Sequence, residues 1–187
     1  MKNIILASQS PRRKQLLELL DIKFTVEIRK VDEVFPDNLE ITEVAEYLAK
    51  LKASVFTNIT DEQLVITADT VVVLDKHILG KPKSKSEAKN MLQSLSNRSH
   101  QVITGVCIKS SNKSISFSNK TKVYFKELSN SEIDYYIENY KPFDKAGSYG
   151  IQEWIGAIGI TKIEGSYFNV VGLPIQELNK KLRQLLD

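Results

Sequence analysis

The sequence predicts an α/β fold built around a mixed sheet. Two observations carry the prediction. Short apolar runs of buried-strand length, such as Ile4-Ile5-Leu6-Ala7 and Leu64-Val65-Ile66-Thr67-Ala68, alternate along the chain with segments whose apolar residues recur at helical spacing. In addition, two strand-like segments, Gln101 to Ile108 and Ser114 to Phe125, follow one another as in a hairpin.

The elements read as follows. Ile4 to Ala7 is a strand, broken by Ser8-Gln9-Ser10-Pro11. Ser10 is a good N-cap and Pro11 a good first helical residue, and Leu16, Leu17 and Leu20 follow at helical spacing. Lys23 to Ile28 reads as a second strand and Val31 to Glu40 as a loop. Val44, Leu48, Leu51 and Val55 predict a helix over 42–57. Leu64 to Ala68 is a strand that Asp69-Thr70 interrupts and Val71 to Leu74 resumes. Leu79-Gly80-Lys81-Pro82 is a turn. Ser84 and Ser129 each open a helix with capping-box spacing, to Glu87 and Glu132. Polar residues 110–118 read as the hairpin turn, the glycine-rich stretch 144–159 as irregular loops, and 158–163 as a strand. Pro174 opens a last helix with Ile175, Leu178, Leu182 and Leu185 on one face.

A chain of 187 residues fits one domain, 1–187, with room for a core and one cleft. Charged residues make up 26% and the formal net charge is +3, an excess that suits an anionic small ligand. A polymeric nucleic acid calls for a denser basic stripe, and single-stranded RNA for surface aromatics interleaved with it. Neither pattern is present, so no nucleic-acid polymer is expected as partner. The single cysteine, Cys107, sits in an apolar alternation and reads as a small core residue; with His77 and His100 it offers no zinc pattern. No apolar stretch approaches membrane-spanning length, and no membrane partner is expected. The N-terminal apolar run is too short for a signal peptide, so cytoplasmic residence is the expectation.

Several residues could carry chemistry. Ser8, Ser10, Arg12 and Arg13 lie where a strand passes into a helix start, a place with free N–H groups and a positive dipole end that binds anions. Arginines in a first turn oppose that dipole, a conflict an anionic partner would remove; the alternative is that they are solvated or pair with surface carboxylates. Asp69 is a carboxylate in an apolar run, costly to bury alone. At a strand end it would face a ligand crevice, able to bind a divalent ion or take a proton from water. The alternative is a bulge or turn aspartate capping the backbone. Lys52, Lys81 and Lys145 are dispersed lysines, of which Lys81 has its direction limited by Gly80-Lys81-Pro82. Gln152, after a segment with two glycines, carries a donor and an acceptor and could read the edge of a base. Tyr167 and Asn169 could fix the geometry before the last helix.

Taken together and in order, Leu6-Ala7-Ser8-Gln9-Ser10-Pro11-Arg12-Arg13, Ala68-Asp69-Thr70-Val71-Val72, Gly80-Lys81-Pro82, Thr104-Gly105-Val106, Asp144-Lys145-Ala146-Gly147 and Val170-Val171-Gly172-Leu173-Pro174 resemble the Maf family of nucleoside triphosphate pyrophosphatases. The resemblance spans nearly the whole chain. It implies a strongly twisted, helix-flanked mixed sheet in two lobes around a deep central cleft, a fold shared with inosine triphosphate pyrophosphatases. It implies cleavage between the α and β phosphates with a divalent cation, magnesium or manganese. By position, Asp69 matches the family's proton acceptor; as carboxylates, Asp69 and Glu33, the latter in the loop after the second strand, are the expected ligands of the divalent ion. Arg12, Thr70 and Gln152 match positions tied to substrate choice. Ser8, Arg13, Glu33, Lys52 and Lys81 match polar cleft positions, and with Ser10 the loop and cations of this set, Ser8, Ser10, Arg13, Lys52 and Lys81, are the expected phosphate-binding residues. The stretch Ala146 to Gln152 is similar to the branch that prefers dTTP and UTP, whereas the 7-methyl-GTP branch usually lacks Gly-Ile-Gln. Gln9, Asn97 and Glu153 depart from the family pattern, Glu153 placing a carboxylate beside Gln152. Dimerisation is common in the family. The family's association with septum formation leaves a non-catalytic nucleotide-binding regulator of cell division as the rival reading.

Overall fold

The computed structural model describes residues 2–186. Met1 and Asp187, the ends of the expected 1–187 domain, lie outside the described residues. The chain divides into two compact units, each assembled from separate stretches. The first comprises Met1–Thr70, Thr104–Asn119 and Gly172–Asp187, and the second Val71–Ile103 and Lys120–Val171. Strand order in the seven-stranded sheet is β2-β1-β3-β5-β6-β7, with β4 paired to β3.

The first unit holds β1 (Asn3–Leu6), α1 (Pro11–Glu18), β2 (Phe24–Val26), a 3-10 turn at Ile41–Glu43, α2 (Val44–Ser54) and α7 (Ile175–Leu186). It also contains the first part of β3 (Gln63–Leu74), the last part of β5 (Ser99–Lys109) and the start of β6 (Ser114–Phe125). β1 runs parallel to β2, with Ile4 opposite Phe24, and parallel to β3, with Ile4 opposite Leu64. Leu6, Leu64, Val65 and Ile66 are buried, as continuous apolar runs in a parallel sheet require. α2 buries Ala45, Leu48, Ala49 and Ala53, and Cys107 packs on Ala49 and Ala53. Burial pushes the Cys107 thiol up to about 11, which keeps it an inert core residue, as read from the sequence. Gly105 lets α2 approach β5: a Cβ there would lie 2.2 Å from the Glu46 nitrogen.

The second unit holds the rest of β3, β4 (His77–Leu79), α3 (Lys85–Leu95), α4 (Asn130–Tyr140), a 3-10 turn at Ala146–Ser148, α5 (Trp154–Gly159), β7 (Ile160–Glu164) and α6 (Tyr167–Val171). Its core packs Ala88, Leu92 and Leu95 of α3 with Ile133, Tyr136 and Ile137 of α4. β4 and β7 pair antiparallel with β3 and β6, so the sheet is mixed as predicted.

Serines open the helices where expected. The Ser10 and Ser84 side chains accept from Arg13 N–H and Glu87 N–H. At Ser129 the capping box is complete with Glu132. Glu87 instead reaches back one residue further, accepting Lys83 N–H at 2.7 Å.

The structure corrects several expectations. β3 is not interrupted at Asp69-Thr70; it runs unbroken from Gln63 to Leu74, because both side chains find polar partners. The turn lies at Asp75-Lys76, with φ of 47° and 65°, the left-handed pair that a two-residue hairpin needs. Residues 114–118 belong to β6, which confines the other turn to 110–113. The glycine-rich segment contains α5, whose Gly156 admits the Ile151 carbonyl at a distance where a Cβ would sit 2.1 Å from its oxygen. Among the described residues no helix is long and apolar enough to cross a membrane.

His100 gives a pH prediction. It is 3% exposed, its Nε2 lies 2.7 Å from the Tyr149 hydroxyl, and its ring stacks on Phe125 at 5.6 Å. Burial lowers its pKa to about 4, while an unfolded histidine titrates near 6.5. Between these values the unfolded chain binds a proton that the folded chain does not. Stability therefore falls as pH drops from about 6.5 to about 4, by up to about 3 kcal/mol. Urea unfolding across this interval should show the loss, and His100→Gln should remove that part of the slope.

Candidate active site

In the first unit the loop after β1 and the first turn of α1 bring a cation against β3. Arg13 Nε donates to the Gly172 carbonyl at 2.8 Å, and Nη1 donates to the Ala68 carbonyl at 2.9 Å and to Ser8 Oγ at 3.4 Å. Nη2 donates to Thr70 Oγ1 at 3.0 Å, and the Thr70 and Thr104 hydroxyls lie 2.9 Å apart. Gly172 can turn its carbonyl inward because it adopts φ +125°, a conformation L side chains rarely take. Burial lowers the Arg13 pKa, the Asp69 charge opposes that shift, Arg12 adds to it, and Glu33 opposes it more weakly. The conflict between Arg13 and the α1 dipole is thus relieved by carbonyls and hydroxyls of the protein itself, with four of the five guanidinium N–H groups engaged. Ser8 Oγ also accepts Ser10 N–H at 3.2 Å, which shapes the loop.

A second cluster lies against α2. Thr67 and Asp69 project to the same face of β3, since side chains alternate along a strand. They meet residues one helical turn apart: Thr67 donates to the Ala49 carbonyl at 2.6 Å, and Lys52 Nζ donates to Asp69 Oδ1 at 2.5 Å. The same ammonium lies 3.1 Å from Glu33 Oε2. Asp69 thus sits within a strand rather than at its end, and it caps no turn. Its side chain keeps 13% exposure, and Glu33 keeps 50%. Glu33 and Asp69 are a hard-oxygen pair sharing one cation. Among the described residues no group of three His, Cys, Asp or Glu could hold a metal ion.

In the second unit the Gly80 carbonyl accepts Gly147 N–H at 3.0 Å, which ties Gly80-Lys81-Pro82 to the Ala146–Ser148 turn. Pro82 is buried and Lys81 exposed. Gly147, at φ +68°, packs against Val72. Gln152 is exposed on the turn that precedes α5. Asn169, buried on α6, donates to the Val102 carbonyl at 3.0 Å and to Thr121 Oγ1 at 2.9 Å, whereas Tyr167 is exposed.

A family model described as Maf-like protein matches residues 3–185. The chain belongs to the Maf family. Among curated relatives, the dTTP/UTP pyrophosphatase of Christiangramia forsetii is 51% identical over 185 residues, covering 98% of this chain and 94% of the relative. That of Flavobacterium psychrophilum is 53% identical over 176 residues, covering 94% and 90%. Among solved structures, the Staphylococcus aureus Ham1 protein aligns with 66% of this chain and 72% of its own, at 16% identity and a TM-score of 0.49.

The Maf segments acquire physical reasons here. Ser8, Arg13, Thr70, Thr104 and the Ala68 and Gly172 carbonyls come from separate segments and form one network in the first unit. Lys52, Asp69 and Glu33 form its neighbour, since Asp69 and Glu33 both act on Arg13. Sequence reasoning found no role for Thr104 or for the carbonyls of Ala68 and Gly172. Carbonyls carry no residue signature, and only the Gly172 conformation would have hinted at one.

Proposed function

We propose that this chain hydrolyses nucleoside triphosphates, dTTP and UTP before others, to the nucleoside monophosphate and pyrophosphate. The observation that carries the chemistry is Asp69, held inside β3 by Lys52 at 2.5 Å, with Glu33 on the same ammonium. The substrate choice is supported by the names of relatives about half identical over nearly the whole chain.

A carboxylate offers about four lone-pair positions, so Asp69 can hold Lys52 and still orient or deprotonate a water for attack on the α-phosphorus. Lys52 and Arg12 are the cations for phosphate oxygens, with Ser8 and Ser10 shaping the loop, while Arg13 chiefly frames Thr70 and the loop. Glu33 and Asp69 would hold a magnesium or manganese ion. When bound, such an ion offsets charge on the leaving pyrophosphate. In this reading Lys81 is a phosphate ligand and Gln152 the reader of the base. A cytoplasmic setting, where nucleoside triphosphates are made and used, and a homodimer complete the reading.

Pyrophosphate release from dTTP, UTP, CTP, 7-methyl-GTP, ITP and ATP with magnesium or manganese tests the proposal. The fastest turnover is expected for dTTP and UTP. Tight binding without release from any of the panel would favour a nucleotide-binding regulator, and preference for 7-methyl-GTP the other branch. Gln152→Ala should narrow the dTTP/CTP ratio of kcat/KM by about three- to tenfold, the worth of one matched hydrogen bond. An unchanged ratio would remove Gln152 from the base-reading role.

A further inference from the structure

The turn that carries Gln152 is gripped by side chains the proposed reaction does not use. Glu153 N–H donates to the Gly150 carbonyl at 3.0 Å, closing a β-turn with Ile151 and Gln152 at its corners. The Glu153 carboxylate then ties that turn at both feet. Its Oε1 pairs with Lys145 Nζ at 3.0 Å, and Lys145, with its side chain 8% exposed, also pairs with Asp144 at 2.7 Å. Its Oε2 accepts the Tyr136 hydroxyl, whose oxygen in turn accepts Gly150 N–H at 3.0 Å. The Glu153 side chain lies so close over Gly150 that a Cβ there would come within 2.8 Å of its carboxyl carbon. Burial first, and then the Glu153 bond, hold the Tyr136 hydroxyl well above its usual range, so it stays a donor.

The need for such a grip follows from the chemistry of an amide. A Gln side chain presents a donor and an acceptor, and rotation by half a turn exchanges them. Thymine and uracil offer an acceptor at O4 where cytosine offers the N4 amino donor. A loose turn could bring the amide to either base from many positions, whereas a held turn fixes where Gln152 leaves the backbone and so limits which base edge its amide can reach. We propose that Glu153, tied by Lys145 and Tyr136, is a positioning residue for base selection, fixing the turn so that Gln152 favours a 4-oxo over a 4-amino pyrimidine. The proposal rests on the reading of Gln152 as the base reader. It also gives a role to a carboxylate that the sequence shows only as a departure from the family pattern.

The test compares wild type, Glu153→Gln, Tyr136→Phe, Gln152→Ala and the Glu153→Gln/Gln152→Ala double variant. Two ratios are measured on each: kcat/KM for dTTP over dCTP, and binding affinity for the α,β-methylene analogues of the same two nucleotides. Glu153→Gln and Tyr136→Phe should each lower both ratios about three- to tenfold. Glu153→Gln should lower them no further once Gln152 is gone, because it acts through that residue. A merely structural role would weaken both nucleotides alike and leave the ratios in place. Ratios unchanged in both single variants, or an equal further loss in the Gln152→Ala background, would overturn the proposal. A wild type that binds the dTTP analogue preferentially but releases no pyrophosphate would sink the hydrolytic reading alone, leaving the binding ratios to decide the clamp. A wild type with no preference between the analogues would overturn the clamp.

Discussion

Asp69→Asn is expected to lower turnover of dTTP by about 10²- to 10⁴-fold, the usual contribution of a positioned acid-base group. Asparagine keeps the shape of the side chain and one oxygen for Lys52, and Glu33 still offers Lys52 a carboxylate. The melting temperature should therefore stay close to that of wild type while the variant loses the ability to take a proton from water. Initial rates of pyrophosphate release, with thermal melts on the same preparations, make the comparison. Wild-type turnover in the folded variant would remove Asp69 from the reaction. Loss of turnover with loss of fold would instead make the Lys52 pair a structural strut.

The second large effect is expected at Arg13. Its guanidinium reaches the Gly172 and Ala68 carbonyls, Ser8 and Thr70, four acceptors on three separate segments. Lysine keeps the charge but lacks the fork geometry to span them. Arg13→Lys should leave at least one carbonyl unpaired and cost about 2–4 kcal/mol, which at about 2–4 °C per kcal/mol lowers the melting temperature by roughly 5–15 °C. Turnover should fall as well, because Thr70 and the Ser8 loop lose their common anchor. Thermal melts separate this from a purely phosphate-binding role, which would raise KM and leave stability intact.

Much of the fold was legible because its signals are local. Ser10, Ser84 and Ser129 cap helices through bonds made within three residues, and the apolar runs at 4–6 and 64–66 mark buried parallel strands by composition alone. What was not legible depends on distant partners. Asp69-Thr70 looked like a break in β3 because the residues that satisfy them, Lys52, Arg13 and Thr104, lie far away in sequence. The Asp75-Lys76 hairpin was hidden because neither position is glycine or asparagine, although both adopt positive φ. α5 was hidden in a glycine-rich stretch, where Gly156 serves close packing rather than looseness. The same holds for the site. The residue types and setting of Ser8, Arg13 and Asp69 pointed to anion and cation chemistry, while Lys52 and Glu33 stood out only through the family resemblance, and the pairing of the set did not show. Arg13 in particular spans the Gly172 and Ala68 carbonyls, Ser8 and Thr70, partners no local pattern announces. Glu153 read as an intruding charge beside Gln152 until its partners Lys145 and Tyr136 were visible.

In the proposed reaction, water directed by Asp69 attacks the α-phosphorus of a pyrimidine nucleoside triphosphate. Hydrolysis of dTTP in ¹⁸O-labelled water with magnesium, followed by mass spectrometry of the products, tests it most directly. Label is expected in dTMP and none in pyrophosphate. Label in pyrophosphate, or release of orthophosphate with dTDP, would contradict it.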